Sequence, residues 1–155
     1  MGADQIVGVI SDTHGLLRPE AVSALRGCDL ILHAGDIGPG GIVQQLAQLA
    51  PVHGVRGNVD RDEWAQTHPI TEVVEIGGRW IYLIHNIAEI DIDPRGGFDA
   101  VVFGHSHQPC NEYRDGVLYF NPGSAGPRRF KLPVAVGRLR IGADGVSGEV
   151  IKLAL

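Results

Sequence analysis

The chain has 155 residues, of which 44% are hydrophobic, and it carries a formal net charge of −5. This length suits one domain with a substantial buried core, which we expect to span residues 1–155. The acidic balance disfavours stable nucleic-acid binding, which needs a basic surface. The apolar runs are shorter than the roughly 18 residues of a membrane helix. Because residues 1–5 also lack a basic, apolar leader, we expect a cytoplasmic protein with no membrane partner.

The first half of the chain alternates short β-branched runs with helical patterns. Strands are predicted over residues 6–10, 29–33 and 52–55, and each is followed by a polar or glycine-rich loop. Helices are predicted over residues 19–26 and 42–49. This β-α-β-α-β order predicts a parallel sheet with right-handed crossovers.

The second half of the chain has the pattern of hairpins. The predicted pairs of strands cover residues 70–76 with 79–85, 111–114 with 117–120, and 134–141 with 146–153, and residues 100–103 form another apolar strand. A parallel half followed by an antiparallel half predicts an α/β fold, with mixed α and β structure, in which two sheets pack face to face and helices lie outside.

Several polar residues stand at the carboxyl ends of successive predicted strands, where open α/β sheets gather their binding sites. Taken singly, each has an ordinary explanation as a helix cap, a turn residue or a core histidine. Seven oxygen and nitrogen donors at one sheet edge are harder to explain as turns. The seven are Asp12, His14, Asp36, Asn58, His85, His105 and His107.

The chemistry of these seven donors favours a metal site. Imidazole combined with carboxylate and amide oxygen, without thiolate, suits a borderline divalent ion such as Mn, Fe, Co, Ni or Zn. Donors two residues apart, as in Asp12/His14 and His105/His107, face one cavity if the backbone is extended. Seven ligands are too many for one catalytic ion that keeps a position open for water. They fit two ions that share a bridging carboxylate.

The same donors lie in an ordered series of motifs. The motifs are Asp12-Thr13-His14, Gly35-Asp36, Gly57-Asn58, His85 and Gly104-His105-Ser106-His107, followed by Asn121-Pro122-Gly123-Ser124. In this order they resemble the motifs of the calcineurin-like metallophosphoesterases, and in particular their small single-domain, YfcE-like phosphodiesterase branch. The resemblance covers most of the chain, from about residue 6 to about residue 130. It implies a four-layer α-β-β-α sandwich of two mixed sheets flanked by helices.

The family pattern also implies a role for each donor. One metal ion would be held by Asp12, His14 and His107, and the other by Asn58, His85 and His105, with Asp36 bridging. Two such ions polarise a phosphoryl group and lower the pKa of a bridging water, so the implied nucleophile is a metal-bridging hydroxide. The implied catalytic residues are Asp36, Asn58 and His85. Manganese is the leading candidate for the metal, with Ni, Co, Fe and Zn as alternatives.

Three positions depart from the pattern of many phosphomonoesterases in this superfamily. Val59 stands in place of a histidine that protonates the leaving group, and Pro39 in place of its aspartate partner. Asn86-Ile87 replaces the Gly-His that follows the equivalent of His85 in many relatives. A positioned general acid is typically worth about 10² to 10⁴ in rate. Its absence favours a phosphodiesterase of modest turnover, and leaves the general acid, if any, unidentified.

Three residues are candidates for substrate binding. Arg56 and Arg128 lie beside motif loops and could bind phosphate oxygens, or could equally be solvated surface residues. Asn58 could offer its amide N–H2 to a phosphate oxygen while its carbonyl oxygen binds the metal.

Other polar residues near the motifs have simpler interpretations. Asn121 and Ser124 are expected to organise their turn. His33, within an apolar strand, is expected to be a hydrogen-bonded core residue or to support a ligand, and Asp60 to be a solvated or capping carboxylate.

Two classes of function remain open. The leading hypothesis is a dinuclear metallophosphodiesterase that acts on a small phosphodiester. The alternative is a non-catalytic, metal-binding scaffold for protein interactions, because a eukaryotic retromer subunit resembles this branch, and fold alone cannot separate the two. The complete ligand set favours catalysis, since a scaffold has no need to keep it. The resemblance also leaves room for a homo-dimer or homo-tetramer.

Overall fold

The computed structural model describes residues 4–58, 60–61, 63–129 and 131–155. The helices are α1 (Pro19–Leu25) and α2 (Ile42–Leu46), and 3₁₀ turns lie at Glu63–Thr67 and Ile87–Glu89. The strands are β1 (Gln5–Ile10), β2 (Leu30–His33), β3 (Val52–Gly54), β4 (Thr71–Ile76), β5 (Arg79–Ile84), β6 (Ala100–Val102), β7 (Cys110–Arg114), β8 (Val117–Asn121), β9 (Ala135–Gly142) and β10 (Gly145–Lys152).

Both five-stranded sheets are mixed. The first has the order β10-β9-β1-β2-β3, with β1, β2 and β3 parallel and β9 antiparallel to β1. The second has the order β4-β5-β6-β8-β7, with β5, β6 and β8 parallel. The two-sheet fold class is therefore confirmed, but the expected division into a parallel and an antiparallel half is wrong. The hairpin β9–β10 returns to the first sheet, and residues 85–99 cross over to place β6 parallel to β5.

The inner faces of the two sheets meet in one apolar core. Val9 and Leu32 of the first sheet belong to the same buried cluster as Leu83, Val102 and Phe120 of the second. Strand residues that face this core alternate with residues that face outward, as expected for sheets packed face to face. This packing fixes the strand ends of the first sheet relative to those of the second.

The outer faces are covered in different ways. Leu25 of α1 and Leu46 of α2 are buried against the first sheet. The outer face of the second sheet is covered by Ile87, Ile90 and Phe98, which come from a loop with one 3₁₀ turn instead of an α-helix. Within the described ranges, no helix combines the length and the apolar character needed to cross a membrane.

The packing of the sheets predicts the effect of a small substitution on β9. A Cβ added at Gly137 would overlap the ring of Phe120, whose side chain is fully buried. Because the ring has no free space to enter, we expect Gly137→Ala to lower the free energy of unfolding by about 1–3 kcal/mol. Urea denaturation measures this change. At Gly97 a Cβ meets nothing within 4 Å, so Gly97→Ala is the control, and equal losses in the two variants would contradict the packing.

Candidate metal centre

Carboxylates and imidazoles from four strand-end loops meet in two groups. The first group is Asp12, His14 and His107, and the second is Asp36, His85 and His105. Within each group the potential ligand atoms all lie within 4.8 Å of one another. The rings of the two histidines are 5.5 Å apart between centroids in the first group and 5.2 Å in the second. Each group therefore has the dimensions of a site for one metal ion.

The two groups adjoin through their carboxylates. Oδ1 of Asp12 lies 3.5 Å from Nε2 of His107 in its own group and 3.9 Å from Nε2 of His85 in the other. Oδ2 of Asp36 lies 3.2 Å from Nε2 of His85 and 3.8 Å from Nε2 of His14. Each carboxylate thus faces imidazoles of both groups, so that two ions held here would be neighbours.

Several of these polar atoms are buried without a hydrogen bond. Oδ2 of Asp12 accepts from the Ser11 hydroxyl at 2.7 Å and from the backbone N–H of His105 at 3.2 Å. Its Oδ1, together with Nε2 of His14 and Nδ1 of His107, has no hydrogen-bonding partner in the part of the chain that the structure describes. A buried polar atom left unpaired costs about 1–3 kcal/mol. A divalent cation would satisfy Asp12 and His14, and the donor types fit such an ion.

The electrostatics at His85 also favour a cation. Burial by itself lowers the pKa of this imidazole, but the carboxylates of Asp36 and Asp12 outweigh burial and raise the pKa above its ordinary value. Nδ1 of the ring lies 2.7 Å from the carbonyl of Ala34 and donates to it. This hydrogen bond fixes the tautomer and turns Nε2 toward the two carboxylates, as in histidines that bind metals.

The backbone at the candidate ligands is left-handed and not extended. The φ angles are 56° at Asp12, 48° at His14, 55° at Asp36, 72° at His105 and 63° at His107. The extended geometry expected for donors two residues apart is therefore wrong, and His105 and His107 enter different groups. Such conformations are strained in residues other than glycine and persist only where the surroundings hold them. Here the N–H of His14 donates to the carbonyl of Asp36 at 2.9 Å.

Two motif glycines allow the loops to approach the carboxylates closely. A Cβ at Gly57 would overlap Oδ1 of Asp36, and a Cβ at Gly104 would overlap the Ser11 hydroxyl and lie 2.8 Å from Oδ2 of Asp12. The backbones that carry Asn58 and His105 can therefore pass against the carboxylates only because these positions lack a side chain.

Asn58 borders a cleft beside the two groups. This cleft, of about 230 Å³, is also lined by Arg56, Arg61 and His85. Asn58 is exposed, and its backbone carbonyl accepts from Nε of Arg61 at 3.1 Å. Arg56 donates to the Gln66 side chain at 2.8 Å. The structure thus places Arg56 and Asn58 in one cleft with His85.

Two further positions singled out in the sequence lie at the surface. Arg128 and Pro39 are exposed. Val59 lies outside the described residues.

The Asn-Pro-Gly-Ser turn supports two ligand loops, as expected. Nδ2 of Asn121 donates to the carbonyl of Gly104 at 3.1 Å, and its Oδ1 accepts from the N–H of Gly123 at 2.9 Å. The hydroxyl of Ser124 donates to the carbonyl of Asp12 at 3.2 Å. These residues therefore connect the turn to the loops of His105 and Asp12.

Asp60 has a role that the sequence interpretation missed. Asp60 was expected to be a solvated or a capping carboxylate, and because the residue is only 3% exposed the solvated alternative is wrong. It accepts from the backbone N–H groups of Ile37 at 3.0 Å, Gly38 at 3.1 Å and Gly57 at 2.9 Å. Two glycine-rich loops leave these donors without partners of their own, and one carboxylate satisfies all three. A carboxylate beside such loops is the signal that could have revealed this role.

Comparisons with known proteins show the family to which this fold and these two ligand groups belong. The sequence model of one protein family, the calcineurin-like phosphoesterase superfamily domain, matches residues 6–144 of this chain. The chain belongs to this superfamily.

Individual relatives agree with this membership, and a structural neighbour shares the fold. A probable metallophosphoesterase of Methanothermobacter thermautotrophicus is 37% identical over 164 aligned residues, which cover 95% of this chain and 92% of that protein. Phosphodiesterase YfcE of Escherichia coli K12 is 27% identical over 154 residues, covering 83% and 84%. The structure of vacuolar protein sorting 29 from Cryptosporidium parvum has the same fold, with a TM-score of 0.82 at 22% identity over 99% of this chain and 93% of that one.

The contacts of Asp60 predict that Asp60→Asn is destabilising. Both oxygens of the Asp60 carboxylate accept hydrogen bonds, whereas a carboxamide has only one oxygen that can accept. Its N–H2 group would face a backbone N–H donor and could form no hydrogen bond with it. We expect a loss of about 1–3 kcal/mol in the free energy of unfolding. Thermal or urea denaturation of metal-free protein measures it. Asp144 is exposed in the turn between β9 and β10, so Asp144→Asn is the control, and an equally small effect at both positions would contradict the buried role of Asp60.

A second prediction concerns pH and the fully buried His33. Burial lowers the pKa of its imidazole to about 4, whereas an unfolded histidine titrates near 6.5. Between these values the unfolded chain binds a proton that the folded chain does not, so this residue lowers the free energy of unfolding as pH falls from 6.5 to 4. The slope of the free energy of unfolding against pH reports how many protons the chain takes up on unfolding. We expect His33→Gln to reduce this number by up to one, as measured by urea denaturation of metal-free protein in the presence of a chelator. His53→Gln, at an exposed histidine of β3, is the matched control for the substitution. An unchanged slope in His33→Gln would contradict the prediction.

Proposed function

We propose that the protein is a phosphodiesterase that works with two divalent metal ions, manganese being the leading candidate. In this proposal one ion is held by Asp12, His14 and His107 and the other by Asn58, His85 and His105, with Asp36 between them. The observation that carries the proposal is the pair of adjoining ligand groups, in which the buried Oδ1 of Asp12 has no hydrogen-bonding partner among the described residues. The cytoplasmic location and a dimeric or tetrameric state stay predictions.

The ligands would each have a defined part in the reaction. Bound divalent ions supply Lewis acidity, which activates a water molecule and polarises the phosphoryl group. Asp36, whose Oδ2 lies between imidazoles of both groups, holds the two positions together. His85 presents Nε2 inward because its Nδ1 donates to Ala34. Asn58 has a carbonyl oxygen for a metal and an N–H2 group for a phosphate oxygen.

The cleft beside Asn58 and His85 suits the rest of a small phosphodiester. A phosphodiester carries a second ester group, which needs space next to the phosphorus, and this cleft provides about 230 Å³. Arg56 lines it and offers a positive charge to a phosphate oxygen. The exposed Arg128 is a further candidate for this role. The net charge of −5 makes a nucleic-acid chain a poor substrate.

The missing general acid favours diesters over monoesters. Position 59 is valine and position 39 is proline, so neither offers a proton to the leaving group. Without this help, esters whose leaving group departs easily should react best. Two matched relatives carry names that agree with this choice, namely phosphodiesterase YfcE of Escherichia coli and phosphodiesterase MJ0936 of Methanocaldococcus jannaschii.

A protein-interaction scaffold is the second candidate function. The likeness to vacuolar protein sorting 29 favours it, but at 22% identity this likeness concerns the fold. The complete set of two carboxylates and four histidines in the two groups argues for catalysis. A scaffold that binds metal but cleaves no phosphodiester would be separated from the enzyme by the assays below.

The first assay compares substrates. Purified protein, stripped with a chelator and reloaded with Mn²⁺, should bind two equivalents of metal and hydrolyse an activated aryl phosphodiester faster than a simple alkyl phosphomonoester. The chelator should abolish this activity, and Mn²⁺ should restore it. Faster cleavage of the monoester would contradict the predicted preference. Two bound Mn²⁺ ions without hydrolysis of any phosphodiester in a broad panel would favour the scaffold.

The second assay removes one ligand from each ion. His107→Ala and His85→Ala should each lower kcat by about 10²-fold or more, because losing a ligand costs more than losing a residue that merely orients one. Each variant should also lose about one of the two equivalents of Mn²⁺. His53→Ala, at an exposed histidine, is the control and should keep the wild-type rate. Wild-type rates in both ligand variants would exclude the proposed site.

A further inference from the structure

His33 connects the two loops that carry the carboxylates. It ends β2, is fully buried, and belongs to neither ligand group. Nε2 of its ring lies 3.0 Å from the hydroxyl of Thr13, the residue between Asp12 and His14. Nδ1 lies 3.1 Å from the backbone N–H of Gly35, the residue before Asp36. One ring thus links the Asp12 loop to the Asp36 loop.

The hydrogen bonds fix the protonation of this ring. The N–H of Gly35 is a donor, so Nδ1 of His33 must accept and carries no proton. The hydroxyl of Thr13 donates its proton to the carbonyl of Ile37 at 2.6 Å, so its oxygen is free to accept from Nε2–H. The ring is therefore neutral, with the proton on Nε2. Complete burial favours the same neutral form.

The link lies between loops whose backbone is left-handed. Asp12 and His14, on either side of Thr13, and Asp36, after Gly35, all have left-handed φ angles. Strained conformations persist where the surroundings over-determine them. The N–H of Asp12 donates to the carbonyl of Gly35 at 2.9 Å, and the His33–Thr13 pair adds a side-chain connection between the same loops.

We propose that His33 is a positioning residue of the metal centre, whose neutral ring fixes the spacing of the Asp12 and Asp36 carboxylates through Thr13 and Gly35. This inference rests on the proposed function for its catalytic consequence, but its effect on metal binding can be measured without activity. Residues that orient metal ligands typically contribute 10- to 100-fold to metal affinity or activity. A residue with a role in core packing alone would change only the stability.

Four variants separate the two hydrogen bonds. In His33→Asn an amide oxygen takes the place of Nδ1, and nothing reaches Thr13. In His33→Gln an amide nitrogen takes the place of Nε2, and nothing accepts from Gly35. Thr13→Val removes the hydroxyl at nearly constant shape, whereas Thr13→Ser keeps it. His53→Asn on the exposed face of β3 is the matched control.

Titration calorimetry with Mn²⁺ on chelator-treated protein is the main measurement. We expect His33→Asn and Thr13→Val each to bind Mn²⁺ about 10- to 100-fold more weakly, with a folded circular dichroism spectrum. Thr13→Ser and His53→Asn should keep the wild-type affinity. At saturating Mn²⁺, kcat for an aryl phosphodiester should fall in His33→Asn while KM changes less than twofold, because His33 does not line the substrate cleft.

A double-mutant cycle tests whether His33 acts through Thr13. In the Thr13→Val background, His33→Asn should cost little further Mn²⁺ affinity, since the link is already broken. Wild-type Mn²⁺ affinity and kcat in His33→Asn and in Thr13→Val, with only a lower melting temperature, would overturn the proposal. If His33→Asn does not fold, the proposal is tested by comparing the Mn²⁺ affinity of Thr13→Val with that of Thr13→Ser. Wild-type protein that binds Mn²⁺ but cleaves no phosphodiester would contradict the proposed function alone.

Discussion

Two carboxylates are buried within reach of the same imidazoles, and this arrangement constrains the rest of the site. Asp12 is fully buried and Asp36 is 5% exposed. Burying a charged group costs free energy unless the group is paired with an opposite charge or binds a metal ion. Ser11 and the N–H of His105 satisfy one oxygen of Asp12, and the other faces histidines of both groups. A site of this kind favours the binding of cations. The surrounding protein must hold the two carboxylates in place.

That framework draws on both sheets. Asp12 and Asp36 follow β1 and β2 of the first sheet, whereas His85 follows β5 of the second and His105 follows β6 of the same sheet. Backbone hydrogen bonds connect neighbouring loops, as when the N–H of Gly104 donates to the carbonyl of His85 at 2.9 Å. The apolar core between the sheets sets the distance between the two sets of strand ends. The chemistry of the site therefore depends on packing far from it, and glycines allow the final close approach.

Much of this arrangement could be predicted from the sequence, because its signals are local. Short β-branched runs followed by polar loops identified the strands, and the order of the motifs identified the family. The sheet to which β9 and β10 belong was not predictable in the same way, since strand pairing depends on residues far apart in the chain. The left-handed φ angles were missed because residues other than glycine adopt them uncommonly, even though aspartate and histidine do so more often than most. Asp60 was misjudged because its three N–H partners come from two different loops.

The central claim is that two metal ions share this site, and anomalous diffraction from crystals grown with Mn²⁺ tests it most directly. Data collected on both sides of the manganese absorption edge locate each ion independently of the protein model. The account predicts two peaks about 3.5–4 Å apart, one beside Asp12, His14 and His107 and one beside Asn58, His85 and His105, with Asp36 contacting both. A single peak, or two peaks that leave Asp36 without a contact, would contradict it.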